Sequence, residues 1–359
     1  MRKLYVSYRF SLINLSLIKR IFYGKIILLF ILFFGVENLW AQIDIEGEAL
    51  INPASRTISV NQQITYFNKS QDTLQSFYLN DWNNAFKSKI SPLGKHFSST
   101  YLRRFQFSNR SERGETKVDF IKTVQGDLLD WKRPDDKPDI IKINLSQPLL
   151  PGETFDFYLQ YTLRIAQDWL TGYGVNDLGE FNLNEWLITP AVYDKHWHIY
   201  SHKNLDDQYS PLSNIDLKLK FPPEFTLYSG MEQEDLNGES FYKEVELSAS
   251  DYNNYKIALT QVDTFDLFKV NDIKLITNIE NENLPLLIRE VIAERILHFL
   301  EDRLGKYPHP HLFVSNADYK SSPIYGLNQL PDFIRPFSDH FQYDLKMLKT
   351  ITRNYLTSS

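Results

Sequence analysis

The residues able to do chemistry in this 359-residue chain are few. It has eight histidines, no cysteine, no Ser in a G-x-S-x-G setting and no Gly-rich phosphate loop. The densest group is His196-Trp197-His198, with Asp194 just before it and His202 just after. Residues two apart on a strand project from one face, so His196 and His198 could offer two imidazoles to one zinc, with Asp194 on the same side. An H-x-H pair also suits an aromatic-rich surface or domain contact, and the spacing alone favours that plainer role. His309 and His311 flank Pro310 in a loop and look less like a site. The adjacent carboxylates Asp206-Asp207 and Glu301-Asp302 diverge on a strand or a helix and read as solvated faces. Without Cys there is no thiol nucleophile, thiolate metal site or N-terminal lipid anchor, and the fold must rely on its core rather than on disulfides.

The elements that must position these residues are mostly strands. Apolar residues alternate over 43–51, 57–67, 140–145, 154–163 and 215–221, with turn residues such as Asn52-Pro53 and Pro151-Gly152 between runs. Period two with such punctuation predicts paired antiparallel strands with one buried face. Further strands are expected at 74–79, 105–107, 117–124, 241–247 and 255–259. Residues 80–100 read as a loop or short-helix excursion and 130–138 as a charged turn.

Beyond about residue 270 the period changes. Leu287, Val291, Ile292, Ile296, Phe299, Leu300 and Leu304 recur at helical spacing and predict a buried helix face, with Gly305 as its stop. Its polar side carries both charge signs, which does not suit a membrane-binding helix. Short strands at 311–314 and 325–330 and a helix at 343–356 follow. The expected architecture is a mainly β N-terminal domain, an antiparallel sandwich or saddle, followed by the beginning of an α/β domain.

The first 41 residues differ from the rest. Six basic residues, from Arg2 to Lys25, precede an eleven-residue apolar run over 26–36, and Leu39-Trp40-Ala41-Gln42 offers a small-residue exit. This is the pattern of a secretory signal peptide, and the run is short for a membrane span. It predicts an exported protein, periplasmic or extracellular, that meets a membrane only through this segment if it stays uncleaved. Cleavage would remove six of 39 basic and one of 45 acidic residues, leaving a net charge near −11. That balance gives no electrostatic basis for binding nucleic acid.

Several stretches together resemble the alanyl-aminopeptidase family of zinc metallopeptidases, the gluzincins. They are P-L-L-P-G-E at 148–153, N-L-D-D-Q-Y-S-P-L-S-N-I-D-L-K-L-K-F-P-P-E-F-T-L-Y-S-G at 204–230, and H-F-L-E-D-R-L-G-K-Y-P-H-P-H-L-F-V at 298–314. The resemblance implies a signal peptide over 1–41, an aminopeptidase-like β domain over 42–270, and the start of a thermolysin-like catalytic domain over 271–359, apparently truncated. It also implies a substrate-binding strand matching G-x-M-E-N at Gly326, Leu327, Asn328 and Gln329. Asn328 stands where the family has the Glu that binds the peptide amine.

In the family, an H-E-x-x-H helix holds zinc through its two His, and its Glu activates water. The matching positions here are Lys349, Thr350 and Arg353, and no H-E-x-x-H occurs anywhere in the chain. Two cations and a hydroxyl at those positions imply no catalytic residue, no metal ligand and no zinc cofactor. Two readings remain open. One is a non-catalytic relative that binds a peptide or protein partner. The other is an active zinc aminopeptidase, of which this chain is a fragment or which uses atypical ligands such as His196 and His198.

Overall fold

The computed structural model describes residues 43–99, 103–203, 209–236, 241–279, 284–317 and 339–357, with the side chains of the last stretch described from 346. Seven strands form the principal sheet. Ile43–Asn52 lies at its centre between Thr57–Phe67 and Ser213–Phe221. Thr154–Arg164 and Glu115–Thr123 extend one side, and Lys243–Tyr252 and Glu232–Leu236 the other. The expected alternation is present: Ile58, Val60, Ile64 and Tyr66 point inward along Thr57–Phe67 while Ser59 and Asn61 face solvent.

One pairing departs from the all-antiparallel expectation. Ile43–Asn52 runs parallel to Ser213–Phe221, so a long crossover separates the two in sequence.

Two four-stranded sheets supply the opposing layer. One contains Thr189–Pro190, Leu74–Asn80, Ile140–Leu149 and Asp130–Lys132. The other contains Thr226–Ser229, Ile257–Thr260, Phe181–Leu183 and Gly174–Val175. Phe77, Leu79 and Ile143 of the first and Phe181 and Leu259 of the second share one apolar core with Ile45, Ile64, Phe157 and Leu217 of the large sheet. The mainly β class follows from this sandwich.

A second core joins the Leu286–Leu304 helix, the Asp339–Thr357 helix and a three-stranded sheet of Asp266–Val270, Ile273–Thr277 and His311–Val314. Here the Ile273–Thr277/His311–Val314 pair is parallel, with a helix in the crossover, as in an α/β unit. Gly305 ends the first helix at φ 92°, a conformation suited to glycine, with its N–H on the Glu301 carbonyl.

Several elements differ from the expectation. Residues 105–107 belong to the helix Arg103–Phe107, because Phe105 joins Ala85, Leu93 and Phe97 in a small helical cluster. Three residues of period two were too few to distinguish the states. The charged turn at 130–138 begins with a strand, Asp130–Lys132, paired to Lys142–Asn144. The Leu286–Leu304 helix buries Ile292, Ala293, Ile296, Leu297 and Leu300, but leaves Leu287, Val291, Phe299 and Leu304 exposed. The helix is apolar on more than one side, and only the narrower stripe meets the sheet and the second helix. The segment 1–41 and the strand expected at 325–330 lie outside the described residues.

Candidate functional site

The Asp339–Thr357 helix carries the positions matched to a zinc helix. Met347, Ile351 and Tyr355 recur every four residues and pack into the second core. Burying Met347 and Ile351 contributes roughly 2 kcal/mol each. The Tyr355 hydroxyl donates to the Gly305 carbonyl, tying this helix to the end of its neighbour.

Beside that apolar stripe runs a polar one. Thr350 and Asn354 are both buried. Thr350 Oγ1 donates to the Lys346 carbonyl at 2.7 Å, and Asn354 Nδ2 donates to the Thr350 carbonyl at 2.9 Å. Lys349 and Arg353 are half-buried and one turn apart, so they share a side of the helix. Gly326, Leu327, Asn328 and Gln329 lie outside the described residues.

The polar stripe meets a buried cation from the β region. Lys256 Nζ donates to Asn354 Oδ1 at 2.7 Å, with Asn254 Nδ2 at 3.5 Å from the same oxygen. Lys256 also acts electrostatically on Glu185, a buried carboxylate held at φ 48°. Ser210 Oγ donates to Glu185 Oε2 at 2.9 Å. Burial pushes the Glu185 carboxyl up to about 7, against the opposing pull of Ser210 and Lys256. Next to it, Trp186 Nε1 donates to the Tyr255 carbonyl, and Ser213 and Tyr255 share a hydrogen bond at 2.7 Å. Three separate segments are thereby knitted around one ionisable group.

A second buried polar cluster lies close by. Asp139 accepts from Ser201 Oγ at 2.9 Å and from the His202 backbone N–H. The His202 ring stacks on Trp82, with centroids 6.1 Å apart, and lies 5.9 Å from Phe86. Burial lowers the His202 imidazole to about 4, so it is neutral at physiological pH. A cleft of about 680 Å³ opens here, lined by Asn80, Trp82, His198, Tyr200, His202 and Tyr209. At its wall both amide atoms of Asn80 and the Trp82 indole nitrogen are buried without a hydrogen-bond partner among the described residues. Asp136, Lys137, Ser201 and Lys203 complete the lining, so the cleft combines aromatic rings with many polar and charged groups.

The His-rich stretch forms a hairpin of Val192–Asp194 and His196–His198. His196 and His198 share a face, with ring centroids 4.4 Å apart, and Asp194 lies opposite His196. The three residues are not gathered into a ligand set: among the described residues no group of three or more His, Cys, Asp or Glu could hold a metal ion. His309 packs edge-on against Tyr252 at 4.9 Å. Glu301 accepts from Asn271 Nδ2, and Asp206 and Asp207 lie outside the described residues.

Glu185, Asp139 and Lys256 do not stand out in the sequence, where each is one more polar residue of its segment, and His202 stands out only as a neighbour of the His196/His198 pair. The available signal was a charge in a buried strand context, as with Glu185 before Trp186-Leu187-Ile188, but their partners are remote in sequence.

No protein-family profile matches the chain, and no curated protein matches it in sequence. Among solved structures, it is similar to an M1 zinc metallopeptidase from Deinococcus radiodurans at 13% identity and TM-score 0.45, over 77% of this chain and 55% of that one. A mutant of the enzyme from the same organism, bound to a Tyr-Ser-Ala substrate, gives 12% identity and TM-score 0.47 over 77% and 56%. A two-domain M1 zinc metallopeptidase mutant bound to L-tryptophan gives 13% and 0.46 over 76% and 56%. The chain thus spans little more than half the length of these proteins.

Proposed function

We propose that this is an exported, aminopeptidase-like protein that binds a peptide or protein partner without hydrolysing it. The observation that carries the reading is the side-chain chemistry of the Asp339–Thr357 helix. Where the resembled family has two zinc-binding His and a Glu base, this helix has Lys349, Arg353 and Thr350, and the Thr350 hydroxyl is engaged by the Lys346 carbonyl. Lysine and arginine donate hydrogen bonds and repel a dication, and a threonine hydroxyl at neutral pH is no base for water. Asn354, the next residue, holds the buried Lys256 ammonium. Basic side chains thus stand at this helix, Lys349 and Arg353 on it and Lys256 against it.

Binding needs none of the missing groups. Residues 325–330 are the proposed docking edge, because strand addition uses main-chain hydrogen bonds. Asn328 would accept a hydrogen bond from a peptide amine without neutralising its charge, which favours partners engaged along their backbone. Export is inferred from the basic and apolar pattern of the first 41 residues.

The test is hydrolysis of amino-acid arylamides by the purified chain with zinc added, alongside titration with extended peptides. The reading expects saturable peptide binding that Gly326→Trp abolishes, and no chelator-sensitive turnover. Turnover that zinc supports and a chelator removes would establish the enzyme instead.

A further inference from the structure

We infer that His196 and His198 form a two-imidazole binding site for a borderline transition-metal ion, with Cu²⁺ bound most tightly. The inference is independent of the peptide-binding reading.

The hairpin is built to hold the two rings. Between them in sequence, Trp197 points to the other face, packing against Phe77 at 5.1 Å, Tyr78 at 5.7 Å and Tyr66 at 6.1 Å. On the partner strand Tyr193 adds an edge contact to Trp197 at 5.1 Å, and its hydroxyl donates to Asp72 at 2.9 Å. Anchoring the middle residue into the core fixes the strand, and the period of two then directs both imidazoles outward together. Their centroids stand 4.4 Å apart with the planes tilted by 42°, near enough that rotation about the side-chain bonds can turn a nitrogen of each ring toward one ion.

His198 has aromatic neighbours, one of them with a polar atom in reach of the imidazole. Its Nδ1 lies 3.3 Å from the Tyr200 hydroxyl, and the Tyr209 ring stands edge-on at 5.4 Å. In the tautomer whose Nδ1–H donates to Tyr200, Nε2 carries the lone pair that a metal needs. An outer-shell hydrogen bond of this kind orients a ligating imidazole and raises its basicity.

Two neutral nitrogen ligands select the metal class. Imidazole suits Cu²⁺, Ni²⁺ and Zn²⁺, whereas Ca²⁺ and Mg²⁺ require oxygen ligands. Affinity should peak at Cu²⁺, following the general order for such sites. Catalytic zinc ordinarily has three protein ligands, and no group of three forms among the described residues. Water would therefore complete the coordination, and the site is one for ion docking rather than for hydrolysis.

The test uses the full chain titrated with CuCl₂, NiCl₂, ZnCl₂ and CaCl₂ by calorimetry, with the copper form examined by electron paramagnetic resonance. The expected result is one copper ion per chain, weaker nickel and zinc, no calcium, and splitting from two imidazole nitrogens. His196→Gln and His198→Gln should each lose the two-nitrogen signature, and Tyr200→Phe should weaken copper about tenfold. Thermal melts of the metal-free variants should match the parent, because the His side chains face away from the core. Unchanged copper affinity in the H196Q/H198Q double variant, which retains the other six histidines, would overturn the assignment. So would a spectrum with fewer than two nitrogens in the parent.

Discussion

The Nζ of Lys256 donates to Oδ1 of Asn354 at 2.7 Å, joining two buried residues 98 positions apart. One comes from the β region and the other from the helix matched to a zinc helix. This contact packs the lysine side chain against the Asp339–Thr357 helix. It also ties the second core to the sandwich.

Hydrogen bonds to buried charges are worth about 1.5–3 kcal/mol, and stranding one partner costs more than removing both. Lys256→Met is therefore expected to destabilise the chain by about 2 kcal/mol. Asn354→Leu should cost more, because it takes a partner from an ammonium that stays buried. The K256M/N354L double variant should recover part of that loss. Denaturant melts of the four proteins give the coupling directly.

Glu185 and His202 predict opposing pH effects. Folding raises the Glu185 carboxyl from 4.5 to about 7, so it binds its proton more tightly in the native state. Its contribution to stability is fully present below pH 4.5 and is lost as pH rises through 7, about 3 kcal/mol in all. Glu185→Gln should remove that slope, and should be more stable than the parent at pH 8.

For His202, folding lowers the imidazole from 6.5 to about 4. Its contribution is present above pH 6.5 and is lost as pH falls through 4, again about 3 kcal/mol. His202→Phe keeps an aromatic ring against Trp82 and should reduce the acid sensitivity over that window. Between pH 4.5 and 6.5 the two slopes nearly cancel in the parent. Each variant should expose the other when stability is measured against pH by chemical denaturation.

Gly174 has φ 137°, and a Cβ built there would lie 2.2 Å from the Ala166 carbonyl oxygen. Gly174→Ala is expected to destabilise by about 1–3 kcal/mol, from the forced backbone conformation and the clash together. Thermal melting should show the loss, whereas Gly152→Ala, with open space around its Cβ, should show only the cost of its positive φ.

The sandwich was legible because its strands keep a strict period of two, as in Thr57–Phe67 and Ser213–Phe221. Pairing partners were not. Nothing local in Ile43–Asn52 indicates that it runs parallel to a strand 170 residues away, as the Asp44–Asn214 contact shows. The Asp266–Val270/Ile273–Thr277 hairpin was missed because its turn, with Asn271 at φ 53°, lies where the sequence changes period.

The candidate site was legible only in part. The His196/His198 pair could be placed from spacing alone, since a strand fixes which residues share a face. Glu185 could not, because its environment comes from Ser210 and Lys256, remote segments that only the fold assembles. The same holds for Asp139, whose partners lie 62 and 63 positions away.

The most direct test of the central claim is to incubate the full chain and zinc with an extended peptide bearing a free amine, follow the heat of binding, and weigh the recovered peptide by mass spectrometry. The account predicts saturable binding with every peptide molecule intact. Loss of the N-terminal residue in a chelator-sensitive manner, or no binding at any peptide concentration, would contradict it.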